Sequence, residues 1–197
     1  MKQPLGVILA GGQATRMGGG DKGRLMLGGQ SLLTRVIERL DPQVDGVVLN
    51  ANGDPLRFAD LGLPVVSDSV DGFAGPLAGV LAGLDYAAAK GFETVVTAAA
   101  DTPFFPADLV PRLLLAAENM EHPLALSASP DGRQPTFGLW PVALRDDLRT
   151  ALQDGLRKVV LWTDKHQGQM AEFPGSAPDP FFNVNTPEDL ALAEGWI

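Results

Sequence analysis

The strongest constraint on how this chain can fold is an alternation. Short β-like runs, several of them apolar throughout, are separated by segments whose apolar residues return at helical spacing. A strand that is apolar on both faces must be covered on both faces, and a parallel sheet flanked by helices does that. The runs span residues 6–10, 46–50, 64–67, 94–99 and 124–129, with later ones near 136–140 and 169–173. Between them, Leu32, Leu33, Val36, Ile37 and Leu40 share a helical face, with Ser31 placed to cap it. Leu77, Val80, Leu81 and Leu84 repeat the spacing after Gly75-Pro76, and Leu109, Leu113 and Leu114 repeat it after Pro106. A last helix starts at Thr186, with Pro187 in its first position and Glu188 and Asp189 near the positive end of its dipole. The pattern predicts an α/β fold: a three-layer α/β/α sandwich with a mostly parallel sheet.

At 197 residues, with 45% hydrophobic and 20% charged positions, the chain is sized for one domain, 1–197, around one core. No repeat, low-complexity tract or linker divides it, and the loop at 175–180 is too brief to do so. The net charge of −9 argues against a nucleic-acid partner, which needs a basic face. No apolar stretch approaches the roughly 20 residues of a membrane span. Residues 1–4 lead into the first run without a cleavage pattern, so no secretory signal is expected and the compartment reads as cytoplasmic. With no cysteine, disulfides and thiolate chemistry are excluded. His122 and His166 lack metal-ligand spacing and read as surface histidines.

The first run stops in Leu9-Ala10-Gly11-Gly12-Gln13-Ala14-Thr15-Arg16-Met17-Gly18-Gly19-Gly20-Asp21-Lys22. Glycines let backbone amides approach an anion closely, successive amides form a phosphate-sized nest, and Arg16 and Lys22 add fixed charge. This is not a Walker A loop, because Asp21 precedes Lys22 and Gly23 follows it. Residues 18–23 match G-x-G-x-x-G, but they lie too far beyond the strand to open a dinucleotide-binding helix. The segment reads as a triphosphate cradle. Asn50, Asp68 and Asp101 follow other runs, so four strand ends would meet at one crevice, where open α/β sheets bind ligands. Asp101 suits a magnesium ion shared with phosphate oxygens, and it suits equally a turn before Pro103. Asn50 and Asp68 likewise fit loop chemistry.

Taken together, Leu9-Ala10-Gly11-Gly12, Arg16-Met17-Gly18 and Asp21-Lys22 resemble the signature of the MobA family, the molybdenum cofactor guanylyltransferases of the nucleotidyltransferase superfamily. The resemblance continues through Asn50-Ala51-Asn52, Asp68-Ser69, Gly75-Pro76-Leu77-Ala78-Gly79 and Asp101-Thr102-Pro103. It extends to Gln134-Pro135-Thr136 and Asn183-Val184-Asn185-Thr186-Pro187-Glu188. It implies a Rossmann-like nucleotidyltransferase fold that moves GMP from GTP to the terminal phosphate of Mo-molybdopterin, releasing pyrophosphate. Residues of about 1–105 would then serve GTP and Mg2+, and about 106–197 the molybdopterin. Leu9, Ala10, Gly11, Gly12, Arg16, Lys22, Asn50, Asp68 and Asp101 would hold the nucleotide, with Arg16, Lys22 and Asp101 catalytic and Asp101 binding Mg2+.

Asp68 has the acceptors to take the ring N–H and exocyclic amine of guanine. Asp71 is assigned to the rim, and the turn at Gly75 could let a base approach the backbone. Arg133, Thr136, Arg157, Lys158, Asn183 and Asn185 are candidates for the phosphate and polar pterin of the second substrate. Arg157 and Lys158 read equally as a solvated helix face. Asn183 and Asn185 would share one face of a strand, with Phe181 and Phe182 anchoring its start. The rivals are a cytidylyltransferase, disfavoured by Gly11 and Thr102, another small-molecule nucleotidyltransferase, and a non-catalytic GTP-binding protein. Transient contacts with pterin-delivering and molybdoenzyme-maturation proteins are also expected.

Overall fold

The computed structural model describes residues 2–11, 21–70, 72 and 75–197. Its strands are β1 (Leu5–Leu9), β2 (Met26–Leu27), β3 (Gln30–Ser31), β4 (Val47–Asn50), β5 (Val65–Val66), β6 (Thr94–Ala99), β7 (Ala125–Ser129), β8 (Gly132–Pro141) and β9 (Gln169–Glu172). Its helices are α1 (Leu32–Leu40), α2 (Pro76–Lys90), α3 (Leu109–Ala116), α4 (Arg145–Gln153), α5 (Val159–Lys165) and α6 (Pro187–Glu194). Seven strands form one sheet in the order β5-β4-β1-β6-β8-β7-β9. Every neighbouring pair is parallel except those made by β8, which runs against β6 and β7. The mostly parallel α/β sandwich expected from the alternation is therefore present.

Strand alternation separates two cores. Val7, Val48 and Val95 face α2, α4 and α5, whereas Ile8, Leu49 and Val96 face α1 and α3. Trp140 and Trp162, both fully buried, stack at 6.1 Å on the first side. Burying each is worth about 2–3 kcal/mol. Phe137, Phe173 and Phe181 meet edge to face on the other side. A satellite cluster of Leu27, Leu32, Val184 and Ala193, flanked by Phe104, Phe182 and Trp196, holds α6 against the β2–β3 hairpin.

Local signals explain the ends of elements. Ser31 Oγ accepts from the Thr34 amide at 3.0 Å, the cap expected for α1. Thr186 and Asp189 make a reciprocal capping box on α6. The hairpin turns on Gly28 and Gly29, both at positive φ, which matches strand twist and favours glycine.

Three features depart from expectation. Residues 183–185 form no strand; the segment is irregular and tied down by the Val184 amide donating to the Asp101 carbonyl at 2.9 Å. Arg157 and Lys158 lie on no helix face but in the connection before α5, with Lys158 as its N-cap residue. His166 is only partly at the surface: its side chain is 17% exposed, packs on Trp162, and bonds Asp147 Oδ1 at 2.7 Å.

Asp147 ties α4 to α5. Desolvation pushes its carboxyl upward, but hydrogen bonds from His166, Lys165 and Trp162 outweigh that and hold it below the usual carboxylate range. A depressed carboxyl stabilises the fold above its unfolded pKa of about 4, and the contribution disappears as pH falls through the folded value. Asp147→Asn should therefore cost about 1 kcal/mol or less at neutral pH and flatten the acid limb of a Tm-against-pH profile below about pH 4. An unchanged acid limb would refute this role.

Candidate active site

The site follows from strand register. Leu9 pairs with Asn50 on one side and Ala99 on the other, and Asn50 pairs with Val66. The ladder continues one step beyond: Ala10 donates to Asn50, Ala51 to Val66 and Ala100 to Leu9, at 2.9–3.1 Å. Four parallel strands thus release their chains at one level of one edge. There Leu9, Gly11, Asn50, Asn52, Asp68, Gly75, Pro76, Ala99, Asp101 and Thr136 line a cavity of about 380 Å³. The positive end of α2, a helix of 15 residues, forms one wall through Gly75 and Pro76. A Cβ at Gly11 would meet nothing within 4 Å among the described residues.

One end of the cavity is built around Asp68. Asn50 Nδ2 donates to Asp68 Oδ1 at 3.0 Å and Asn52 Nδ2 donates to Oδ2 at 2.8 Å. The Asp68 amide returns a bond to Asn52 Oδ1 at 2.8 Å. Each carboxylate oxygen takes one amide donor and keeps acceptor capacity for another. Asn50, 3% exposed, fits only because α2 carries no side chain at Gly79: a Cβ there would overlap Asn50 Oδ1 and lie 2.8 Å from Leu9 Cδ2.

The other end gathers Lys22, Asp101 and the tail segment. Lys22 Nζ donates to Asp101 Oδ2 at 2.9 Å and also to Asn185 Oδ1. Thr102 Oγ1, fully buried, donates to Asn183 Oδ1 and lies 3.3 Å from Asp101 Oδ1. Asn183 therefore reaches the Asp101–Thr102 turn directly and Asn185 reaches it through Lys22, while Val184 between them enters the satellite core. Ala10, Lys22 and Asp101 line a recess beside Leu9, which also borders the main cavity. Gly12 and Arg16 lie outside the described residues, as does Asp71.

The second-substrate candidates separate. Thr136 lines the main cavity. Arg133 pairs with Asp164 at 2.7 Å, Arg157 donates to the carbonyls of Leu152 and Leu156, and Lys158 is exposed; none of the three lines the cavity. Two residues outside the expected set matter. Asn52 holds Asp68, and Arg57 donates to the Asn52 carbonyl at 2.5 Å while its Nε lies 3.3 Å from Asp21 Oδ2. Arg57 thus links the Asp68 end to the residue before Lys22. The Asn-x-Asn spacing could have marked Asn52; nothing local marks Arg57.

Among the described residues no group of three or more His, Asp or Glu side chains could hold a metal by itself. Asp101 offers one carboxylate, which suits Mg2+ only when substrate phosphates complete the oxygen shell. No helix among the described residues is long and apolar enough to cross a membrane.

Residues 6–168 match the family described as the MobA-like NTP transferase domain. A molybdenum cofactor guanylyltransferase of Rhodopseudomonas palustris is 53% identical over 195 residues, covering 98% of this chain and 91% of that protein. One from Nitrobacter hamburgensis is 52% identical over 192 residues, covering 96% and 92%. Among solved structures, molybdopterin-guanine dinucleotide biosynthesis protein A from Archaeoglobus fulgidus aligns with a TM-score of 0.73 at 25% identity, covering 98% and 97%.

Proposed function

We propose that this chain, which belongs to the MobA-like NTP transferase family, is a molybdenum cofactor guanylyltransferase. It transfers GMP from GTP to the terminal phosphate of Mo-molybdopterin. The observation that carries this is the two-ended cavity: an oriented acceptor carboxylate, Asp68, at one end and Lys22 with Asp101 at the other.

In this reading guanine places its ring N–H and exocyclic amine on Asp68, and the triphosphate runs toward Lys22. A phosphate oxygen of molybdopterin attacks the α-phosphorus, forming a new P–O bond as the bond to the β-phosphate oxygen breaks. The attacking oxygen is already anionic, so the protein need supply neither nucleophile nor base. Its contribution is alignment and charge neutralisation. Lys22 stabilises the departing pyrophosphate, with Arg16 assigned the same task. Asp101 would hold Mg2+ together with phosphate oxygens, and the ion when bound neutralises phosphate charge. Asn185 orients the Lys22 ammonium. Asn183, through Thr102, holds the turn that carries Asp101.

Thr136, Asn183 and Asn185 border the molybdopterin, and Arg133, Arg157 and Lys158 are assigned to its approach. The division into a nucleotide half and a pterin half belongs to the same proposal, as do a cytoplasmic location and transient contacts with delivering and accepting proteins.

Calorimetry with Mg2+ should show GTP binding in preference to CTP and ATP. Asp68→Ala should reduce the GTP-over-ATP preference by about tenfold or more, because two charge-assisted hydrogen bonds are lost. Preference for CTP, or selectivity unchanged in Asp68→Ala, would overturn the assignment of guanine to Asp68. Absence of pyrophosphate release from GTP with Mo-molybdopterin would overturn the activity.

A further inference from the structure

A second concavity, about 500 Å³, lies on the α1 side of the molecule, away from the cavity described above. Arg35 and Arg39 on α1 form one wall, and Pro103, Phe104 and Trp196 supply much of the rest. The two arginines are one helical turn apart, so their guanidinium groups share a face. Arg35 is partly engaged, its Nε donating to the Leu27 carbonyl at 2.9 Å. Arg39 is half-buried, yet among the described residues its side chain donates no hydrogen bond and pairs with no carboxylate. Burial, then the charge of Arg35, lowers its pKa from the usual guanidinium value. The nearby carboxylate, Glu38, accepts instead from Gln30 at 3.0 Å. Glu38 lines the same groove, but among the described residues neither arginine forms an ion pair with it or with any other carboxylate, which in a chain of net charge −9 stands out.

The walls are held firmly. Gln43 Nε2 donates to the Arg39 carbonyl at 2.8 Å, and Gln43 Oε1 accepts from the Val110 amide of α3 at 3.0 Å. Trp196 is braced edge to face by Phe104 and Phe182, at 5.5 and 4.8 Å.

We propose that this groove is a second, non-catalytic binding site for a small phosphorylated ring compound, its phosphate on Arg39 and Arg35 and its ring against Trp196 and Phe104. Guanidinium pairs recognise phosphate oxygens in a fork geometry, and flat rings gain by packing on aromatic side chains. The volume is that of a small-molecule site, whereas a docked protein would need roughly 800 Å² of surface on each side. Pro103 and Phe104 closely follow Asp101, so a ligand here touches the chain that carries the active-site carboxylate.

Trp140 and Trp162 are fully buried and Trp196 is not, so the Trp196 indole N–H resonance, identified with Trp196→Phe, is a specific reporter. GMP and a pterin monophosphate are titrated separately at up to millimolar concentration, and the tighter of the two identifies the source of the ring. The resonance should shift saturably, and inorganic pyrophosphate should reverse the shift. In Arg39→Gln the midpoint should rise about tenfold or more, since a charge-assisted bond is lost. Pyrophosphate release from GTP with Mo-molybdopterin as acceptor, and with no GMP or pterin monophosphate added, should stay within about twofold in that variant, as for other substitutions outside the reacting site. A resonance unmoved by both ring phosphates, or moved equally in Arg39→Gln, would overturn the proposal. So would a response confined to an Asp- and Glu-rich peptide, which would mark a protein-docking surface.

Discussion

Lys22→Ala is expected to lower guanylyl transfer by about a hundred- to a thousand-fold, the usual cost of deleting a group aimed at developing charge. The fold should lose only about 1–2 kcal/mol, because the pair it forms with Asp101 is partly screened. Their side chains are 18% and 22% exposed, neither deeply buried nor free in water. Unfolding should therefore shift by a few degrees at most for a chain of this size. The loss should fall mainly on kcat, since pyrophosphate gains charge as it leaves. Lys22→Arg should not restore the rate, because a planar fork cannot replace a compact ammonium seated against both Asp101 and Asn185. Steady-state kinetics beside thermal melts separate the two effects, and a normal rate in Lys22→Ala would remove the chemical basis of the assignment.

Gly79→Ala should damage the nucleotide end of the cavity through a single added methyl group. The added Cβ would overlap Asn50 Oδ1 and press within 2.8 Å of Leu9 Cδ2. Overpacking of that kind costs about 1–3 kcal/mol. Relief requires Asn50 to swing away, which releases Asp68 Oδ1 from its amide donor. The KM for GTP should then rise about tenfold, and the preference over ATP should fall in step. Gly83→Ala is the matched control. Its Cβ would lie 2.7 Å from Val7 Cγ2, so it should destabilise the helix–sheet contact similarly without changing nucleotide preference. Equal effects of both variants on selectivity would show that helix packing alone, and not the seat of Asn50, is being measured.

Most of the sheet was legible along the chain because buried strands and amphipathic helices are written in nearest neighbours. All seven expected runs are strands of one sheet, though β8 is longer than residues 136–140 and antiparallel to its neighbours. The two-residue strands of the hairpin are too short for periodicity to register, although Gly28-Gly29 signals the turn. α4 and α5 are short; polar residues dilute the pattern of α4, and α5 opens on four apolar residues in a row, which shows no helical period. The strand assigned to residues 183–185 failed for a related reason. Alternation of Asn183, Val184 and Asn185 is a strand signal, but the segment has no ladder partner: one backbone bond and one side-chain bond tie it to the turn after β6.

By itself, the sequence determined which side chains stand at the ends of the parallel strands, since element type and end are set by residues a few positions apart. Thus Asn50, Asp68 and Asp101 could be chosen without coordinates. Only the tertiary structure decided what each of them meets. Lys22 reaches Asp101 across 79 positions and Asn185 across 163, and Asn52 holds Asp68 from the neighbouring strand's loop. The same is true of Arg133, whose charge is taken up by Asp164, and of Arg39, left beside Arg35 without an ion pair among the described residues. Such contacts depend on strand order, register and the depth at which α2 rides on Val7 and Leu9. Those quantities are set by how the whole core packs, so no local window of the chain contains them.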